Sequence, residues 1–459
     1  MTAADNSARP PAFFTRADWW SCAATGAMAF VVYWFTLAPD VTLEFSGELS
    51  VAAMHGGVPH PPGYPVWVML SWLWLKLFPF GNIAWRLAVE SALTGALAGG
   101  VIALMVSRGG RALLENTRGL QRLAPGEEKT LCAVCGVIAG LGFCFEHGVW
   151  KLSIIVEVWP LNELLWALTL CALMRWAFAP ERRRWLLAAM FTYGLTLTDC
   201  QPLLGAAFGL QLFIALQKPA LGRDIFLLTA IFCAASAASA LFEIPFPLNS
   251  YLGYASPLRM IFVGIGVAAA VLCTALTIGT RRLFTEWKTI LLLTVFFGAG
   301  LLFYFYVPLA SMSNPPMNWG YPRTTDGFLH AVTRGQFDQP HLTLEFARLA
   351  AGVRLALGLA VRDPGWFYCL AAVVPLAFIH RMNPMCRHWF IGLWTLAVVT
   401  LLLLVWMLNP SPDRANIGLI SFFFLPVHLL LVVLAGGGMV LAVTTLTAAR
   451  KNKTSTPPT

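Results

Sequence analysis

Two carboxylates and two imidazoles crowd the segment APDVTLEFSGELSVAAMHGGVPHPPGYP, residues 38–65. Glu44 and Glu48 stand four apart, and Ser46 reads as an N-cap with Gly47 and Glu48 opening a short helix. A carboxylate held there can act as a general base toward a hydroxyl nucleophile. The same position also suits a structural task, meeting first-turn N–H groups and the positive end of the helix dipole. The residues alone allow both. His55 and His60 flank a Gly-Gly turn, and HPPGYP is a rigid turn or extended segment. Two histidines and two glutamates contain metal-ligand atoms, but their spacing matches no recognised zinc pattern. No metal ligands are assigned, and a divalent ion stays open.

A second polar cluster is NPPMNWGYPRTTDGFLHAVTRGQFDQPH, residues 314–341. Turn formers around Asn314 and around Asn318-Trp319-Gly320 fix its backbone. Arg323, His330 and Arg334 can contact a phosphate, the guanidinium being suited to two-point recognition of an oxyanion. Alternatively, Arg323–Asp326 and Arg334–Asp338 hold an interfacial cap together. Two acids lie at the ends of apolar runs: Glu157 in IIVEVWPLNE and Asp199 in LTLTDCQPLL. Acids at membrane depth are functional candidates by default. Their plainer reading is shallow water contact, or bonds to Asn162 and Gln201. Arg86 and Glu90, four apart, read as a pair within one helix.

These groups must be positioned by something, and the composition says what. Of 459 residues, 58% are hydrophobic and only 12% are Asp, Glu, Lys or Arg, with mean hydropathy +0.70. An average globular protein carries about 25% charged residues, so a soluble fold this poor in charge could not cover its surface. The chain is expected to be an all-α polytopic membrane protein. A secreted disulfide scaffold, a disordered chain and a nucleic-acid binder are excluded. Nearly all of the ten cysteines lie in apolar runs, where Cys behaves as a small hydrophobe. The Cys132/Cys135 pair, three apart with no second pair, reads as packing.

The first apolar run, 19–38, is long enough to cross a bilayer core of about 30 Å and reads as an uncleaved first helix. Further spans are expected at 84–106, 130–147, 158–178, 185–198, 202–217, 224–243, 259–280, 289–309, 364–380, 389–408 and 417–446. Those at 185–198 and 202–217 form a short hairpin with Thr198-Asp199-Cys200-Gln201 at its tip. The run 64–80 is the exception. Were it to cross, Arg108, Arg111, Arg118, Arg122 and Lys129 would face outward, against the bias of Lys and Arg toward cytoplasmic loops. Laid in the outer interface as a Trp-rich helix, it leaves 21 of the 31 Lys and Arg inside and 14 of the 22 acids outside. The expected organisation is a cytoplasmic N-terminus (1–18), about twelve transmembrane helices within 19–446, and a cytoplasmic tail (447–459). The long loops 39–83 and 310–363 then face outward. No P-loop or GxGxxG is present, so the chemistry is expected outside, away from nucleotides.

The segments TLAPDVTLEFSGELSVAAMHGGVPHPPGYP, EVWPLN, GLTLTDCQPLL and NPPMNWGYPRTTDGFLHAV, in this order over residues 20–340, resemble a bacterial membrane family long catalogued as a domain of unknown function. That family is related to a eukaryotic TMEM-type protein O-mannosyltransferase and so to the GT-C glycosyltransferases. The resemblance implies a GT-C-like fold with outer-face juxtamembrane helices, in a bacterial inner membrane with its site toward the periplasm. It implies a polyprenyl-phosphate-linked sugar as donor, a protein, glycan or lipid hydroxyl as acceptor, membrane lipids as surroundings, and no further cofactor. Glu48 becomes the expected catalytic carboxylate, with Glu44 second. His55, His60, Glu157, Asn162, Asp199, Asn314, Asn318, Trp319, Arg323 and Arg334 become the expected substrate-binding set.

Departures matter here. Relatives usually carry an acid where this chain has Phe45, and Asn and His where it has Asp199 and Cys200. A one-residue shift on an extended segment turns a side chain to the opposite face, so Glu44 does not simply replace the missing acid. The chain stops soon after Lys453, before the helical-repeat domain that many relatives carry. The competing reading is a non-catalytic binder or transporter of lipid-linked substrates. Against a transporter, no internal repeat is found. A reporter enzyme fused near residue 118 is expected to read cytoplasmic; a non-cytoplasmic signal would overturn both the interfacial placement of 64–80 and the outward site.

Overall fold

A computed structural model describes residues 12–120, 123–241, 258–335, 345–411 and 413–454. Its described part is helical without a β-strand: α1 (Arg16–Thr36), α2 (Ser46–His55), α3 (Pro65–Leu77), α4 (Ile83–Asn116), α5 (Pro125–Cys144), α6 (His147–Ser153), α7 (Trp159–Ala177), α8 (Arg183–Asp199), α9 (Ala206–Gln217), α10 (Pro219–Leu241), α11 (Leu258–Thr280), α12 (Trp287–Leu301), α13 (Tyr306–Met312), α14 (Thr325–Val332), α15 (Phe346–Ala360), α16 (Trp366–Phe378), α17 (Pro384–Leu408), α18 (Arg414–Ile420) and α19 (Leu425–Thr454). Seven stretches among the described residues are long and apolar enough to cross a membrane, up to eight if α5 and α6, bent by 70°, form one broken span. The chain is therefore an all-α integral membrane protein. The other four expected crossings fall on α1, α7, α8 and α9, which are shorter or less apolar.

Helix α4 is the hub. Its 34 residues rise about 51 Å at 1.5 Å per residue, past the apolar run ending at 106, because RGGRALLEN still contains good helix formers. Arg108 and Arg111, expected in a loop, thus lie on the helix. Arg111 and Ser107 both reach the buried Asp18 of α1, the serine donating at 2.6 Å. Asp18 also accepts the Thr15 N–H at 2.7 Å, which caps α1. Along the α4–α5 seam a Cβ on Gly140 would stand 2.4 Å from the Gly99 carbonyl oxygen. Only small residues allow that approach, a usual device where helices pack in lipid. Cys132 and Cys135 lie buried in the same seam.

Helix α3 has 13 residues, about 20 Å of rise, short of a bilayer core. It packs beside α2 and α4 around Trp67, Val68 and Leu49. Arg86 does not pair with Glu90 as expected. Its guanidinium donates to the Leu75 carbonyl at the end of α3, and Trp74 Nε1 donates to the Arg86 carbonyl at 2.8 Å. A cation there meets the negative end of the helix dipole, and Glu90 is left to turn inward.

The loop expected over 310–363 is shorter than expected. α15 begins at Phe346 and runs through a π-helical turn, 361–365, into α16, because FARLAAGVRLALGLA is rich in helix formers. What remains of the loop is tied to the first one by backbone. The Val58 N–H donates to the Met317 carbonyl at 2.8 Å, and the Trp319 N–H donates to the Val58 carbonyl at 2.9 Å. Gly57 permits this contact: a Cβ there would stand 2.3 Å from the Met317 oxygen. Gln201, after α8, adds a second tie through its Nε2 to the Val332 carbonyl. Gly57→Ala is expected to lower stability by on the order of 1–3 kcal/mol, read as a lower melting temperature in detergent. Gly358→Ala, which meets nothing within 4 Å, is the control and should not lower it.

Candidate functional site

The helix carrying Glu48 begins one residue earlier than expected. Ser46 is its first residue rather than its cap, and the Ser46 hydroxyl accepts from Thr42 N–H at 2.8 Å and donates to the Thr42 carbonyl at 2.9 Å. That closes the turn before α2 and sets Glu48 in its first turn. Glu48 Oε1 accepts two hydrogen bonds from His60, one from the backbone N–H and one from Nδ1–H at 2.9 Å. With Nδ1 protonated toward the carboxylate, Nε2 is an acceptor, and the Tyr64 O–H donates to it at 2.8 Å. Burial pushes the Tyr64 phenol above its ordinary range, the charge of Arg334 opposing the rise. Tyr64 thus stays a donor, and it holds His60 in one tautomer.

Glu48 Oε2 makes no hydrogen bond to any described residue, and the side chain is 14% exposed. One oxygen is held while the other is open to a ligand. Phe45 packs on the imidazole with ring centroids 4.3 Å apart, and Trp319 stands edge-on at 6.4 Å. Both are substantially exposed. Phe45 is therefore an aromatic wall of this site.

Glu44 goes elsewhere. Its backbone is left-handed, φ 74°, and its Oε1 accepts from Lys151 Nζ of α6 at 2.6 Å. The lysine stands over the Phe422 ring at 5.6 Å. Of the remaining expected residues, Asn318 and Trp319 adjoin His60 through the Val58 bridge, Asn318 also donating to the Ser311 carbonyl at 3.2 Å. Arg334, half-buried in a left-handed turn, brings positive charge toward Tyr64 and Tyr304. His55 and Asn314 are exposed, and Arg323 is exposed over the Tyr321 ring. No hydrogen bond or ion pair links these three to Glu48 or His60. Asp338 lies outside the described residues.

Behind the relay lie buried acids. Glu157 sits in the bend between α6 and α7, its Oε2 accepting the Val158 N–H at 3.2 Å. Asp199 ends α8 and faces the Trp67 N–H in the first turn of α3 without a formed hydrogen bond to either oxygen. Glu90 lies near Ser71, likewise without partners. Asn162 does not serve Glu157; its Nδ2 donates weakly to Glu163 at 3.4 Å. Gln201 does not serve Asp199; it bonds Tyr304 and the second loop.

Tyr64 and Lys151 escaped the sequence reading. Tyr64 stands four after His60, but a proline-rich turn hides what that spacing means. Lys151 stands out only as a lone cation between apolar runs.

Burial holds the Glu157 carboxyl up at about 8, against an ordinary value near 4.3. The native state then binds the extra proton across that window, so stability falls as pH rises through it. Glu157→Gln is expected to flatten the decline in melting temperature between pH 5 and pH 9 by several degrees, roughly 2–4 °C per kcal/mol. An identical decline in both proteins would remove Glu157 from the titrating groups.

Comparison with known proteins bears on this geometry. Residues 46–222 match the family described as the protein O-mannosyl-transferase TMEM260 N-terminal domain. The mouse protein O-mannosyl-transferase TMEM260 is 32% identical over 189 residues, 39% of this chain and 24% of that protein. The Dictyostelium discoideum protein of the same name is 28% identical over 140 residues, 30% of this chain and 15% of that one. The chain thus matches about a quarter of the mouse relative's length and less of the Dictyostelium one's. No solved structure is significantly similar. The matched stretch carries Glu48, His60, Tyr64, Glu157 and Asp199 and begins just after Glu44. Over it, this membrane chain is related to the N-terminal part of the TMEM-type O-mannosyl-transferases.

Proposed function

We propose that this protein is a membrane glycosyltransferase of GT-C type. In this reading it moves a sugar, mannose by analogy with its relatives' names, from a polyprenyl-phosphate donor to a hydroxyl of a protein. A glycan or lipid hydroxyl is the other acceptor class. The site would face the non-cytoplasmic side of a bacterial inner membrane, with twelve crossings and both termini cytoplasmic. The single observation that carries the reading is Glu48: one oxygen held by His60, the other open, at the junction of two loops, within a stretch similar to proteins named for this transfer.

In the proposed step Glu48 Oε2 takes the proton of the acceptor hydroxyl as that oxygen attacks the anomeric carbon. The bond from that carbon to the phosphate oxygen breaks, its electron pair leaves with the polyprenyl phosphate, and the centre inverts. General base assistance of this kind contributes about 10²–10⁴-fold. His60 and Tyr64 are positioning residues: His60 holds one oxygen of the carboxylate, and Tyr64 holds the imidazole in place. Arg334, with Arg323 on the same loop, would meet the charge developing on the phosphate, a charge-assisted contact that strengthens as the bond breaks. Phe45, Asn318 and Trp319 would line the acceptor or sugar. Glu44 is assigned to the Lys151 pair rather than to proton transfer, and His55 and Asn314 to outer contacts with substrate.

Phe45 favours a second reading, a binder of lipid-linked sugar without turnover, because an aromatic ring packs on His60 where the family resemblance implies an acid. Sugar transfer from a polyprenyl-phosphate donor separates the two. Glu48→Gln is expected to lower turnover by at least about 10²-fold, and Glu44→Gln by less than tenfold. Unchanged turnover in Glu48→Gln would sink the catalytic assignment; donor binding by wild-type protein with no transfer would favour the binder.

A further inference from the structure

Three ionisable side chains outside this site converge from separate elements. Glu146 stands at the break between α5 and α6, Asp363 in the π-helical turn between α15 and α16, and His428 one turn into α19. One ligand atom from each lies within 4.8 Å of the others. Glu146 and His428 are 2% and 1% exposed, and Glu146 Oε1 lies 2.6 Å from His428 Nδ1. Two atoms of this buried group have no partner: Glu146 Oε2 and His428 Nε2. Unsatisfied buried polar atoms are rare in native structures and call for an explanation such as an ion. Arg362 donates to both oxygens of Asp363, at 2.6 and 3.0 Å, whereas Glu146 has only His428 on one oxygen and nothing on the other.

We infer that Glu146, Asp363 and His428 bind one divalent transition-metal ion. Carboxylates suit Mn²⁺ and imidazole suits Zn²⁺, and three protein ligands leave the open position of a reactive site rather than a closed structural one. The position borders a cavity of about 330 Å³ lined by His147, Lys151, Arg362, Asp363 and Phe422. An anion entering it would reach the open position of the metal, while Arg362 and Lys151 on its wall are already paired with Asp363 and with Glu44 of the first loop. That the anion is the donor's phosphate rests on the reading above; the metal site does not.

The test uses the full chain, free of any tag that binds metal, purified in detergent and stripped with chelator. Mn²⁺ and, separately, Zn²⁺ are added, excess is removed, and bound metal is counted by elemental analysis. About one ion per chain is expected, together with a raised melting temperature in the wild type. His428→Gln and Asp363→Asn are expected to weaken binding at least tenfold. No retained ion and no thermal shift with either metal in the wild type would overturn the site, whether or not the variants fold. Full retention in both variants would overturn it as well. Neither readout involves a sugar donor, so loss of transferase activity with metal binding intact would count only against the proposed function.

Discussion

Two loops about 260 residues apart in the chain are joined by two backbone hydrogen bonds through one residue, Val58. The junction depends on Gly57, whose missing side chain lets the Met317 carbonyl approach. This contact brings the second loop, and Trp319 with it, to the edge of the Glu48–His60–Tyr64 group. Glu48 and His60 belong to a segment that would otherwise be a surface turn, and Trp319 reaches the imidazole only because its own N–H is spent on Val58. A backbone tie suits the purpose, since it leaves the side chains free to face a ligand while satisfying groups that are costly to bury unpaired.

The helices supply the rigidity that the loops lack. Polar pins hold the ends away from the loops: Asp18 with Ser107 and Arg111, and Arg223 with Asp224, Thr280 and Thr285. Such buried pairs contribute little net stability, because desolvation offsets much of the attraction, but breaking one side of them is expensive. They therefore set register between helices that would otherwise slide on apolar faces. Toward the loops the pattern reverses. Asp199 and Glu90 are buried without hydrogen-bond partners, which a fold retains where a function uses the group or a ligand completes it.

How much of this was legible depends on what each residue's role requires. The membrane class and the short α3 follow from runs of residue type, which need no partner to be read; the hairpin expected around Asp199 does not form, because α8 packs on α7 and α12 while α9 packs on α17 and α10. Glu48 could be singled out because a carboxylate in a first helical turn after an apolar span is a local pattern. The Arg86–Glu90 pairing was misread because spacing of four allows an ion pair without choosing it, and the carbonyls ending α3 are the stronger attraction. The helix from Phe346 was misread as loop because its charged residues break the apolar run without breaking the helix. Tyr64 and Lys151 were missed because their meaning lies in which residues they touch.

By itself, the sequence determined that this chain lives in a membrane and that its acids are few, with polar residues gathered in two segments. Those conclusions rest on transfer free energies, which are properties of residues one at a time. Only the tertiary structure decided that Glu44 faces Lys151 while Glu48 faces His60, that Tyr64 completes the relay, and that Glu146, Asp363 and His428 meet. Those are properties of pairs. A hydrogen bond or a ligand set exists only at distances of a few ångströms between atoms, and no spacing along the chain specifies them until the helices have packed.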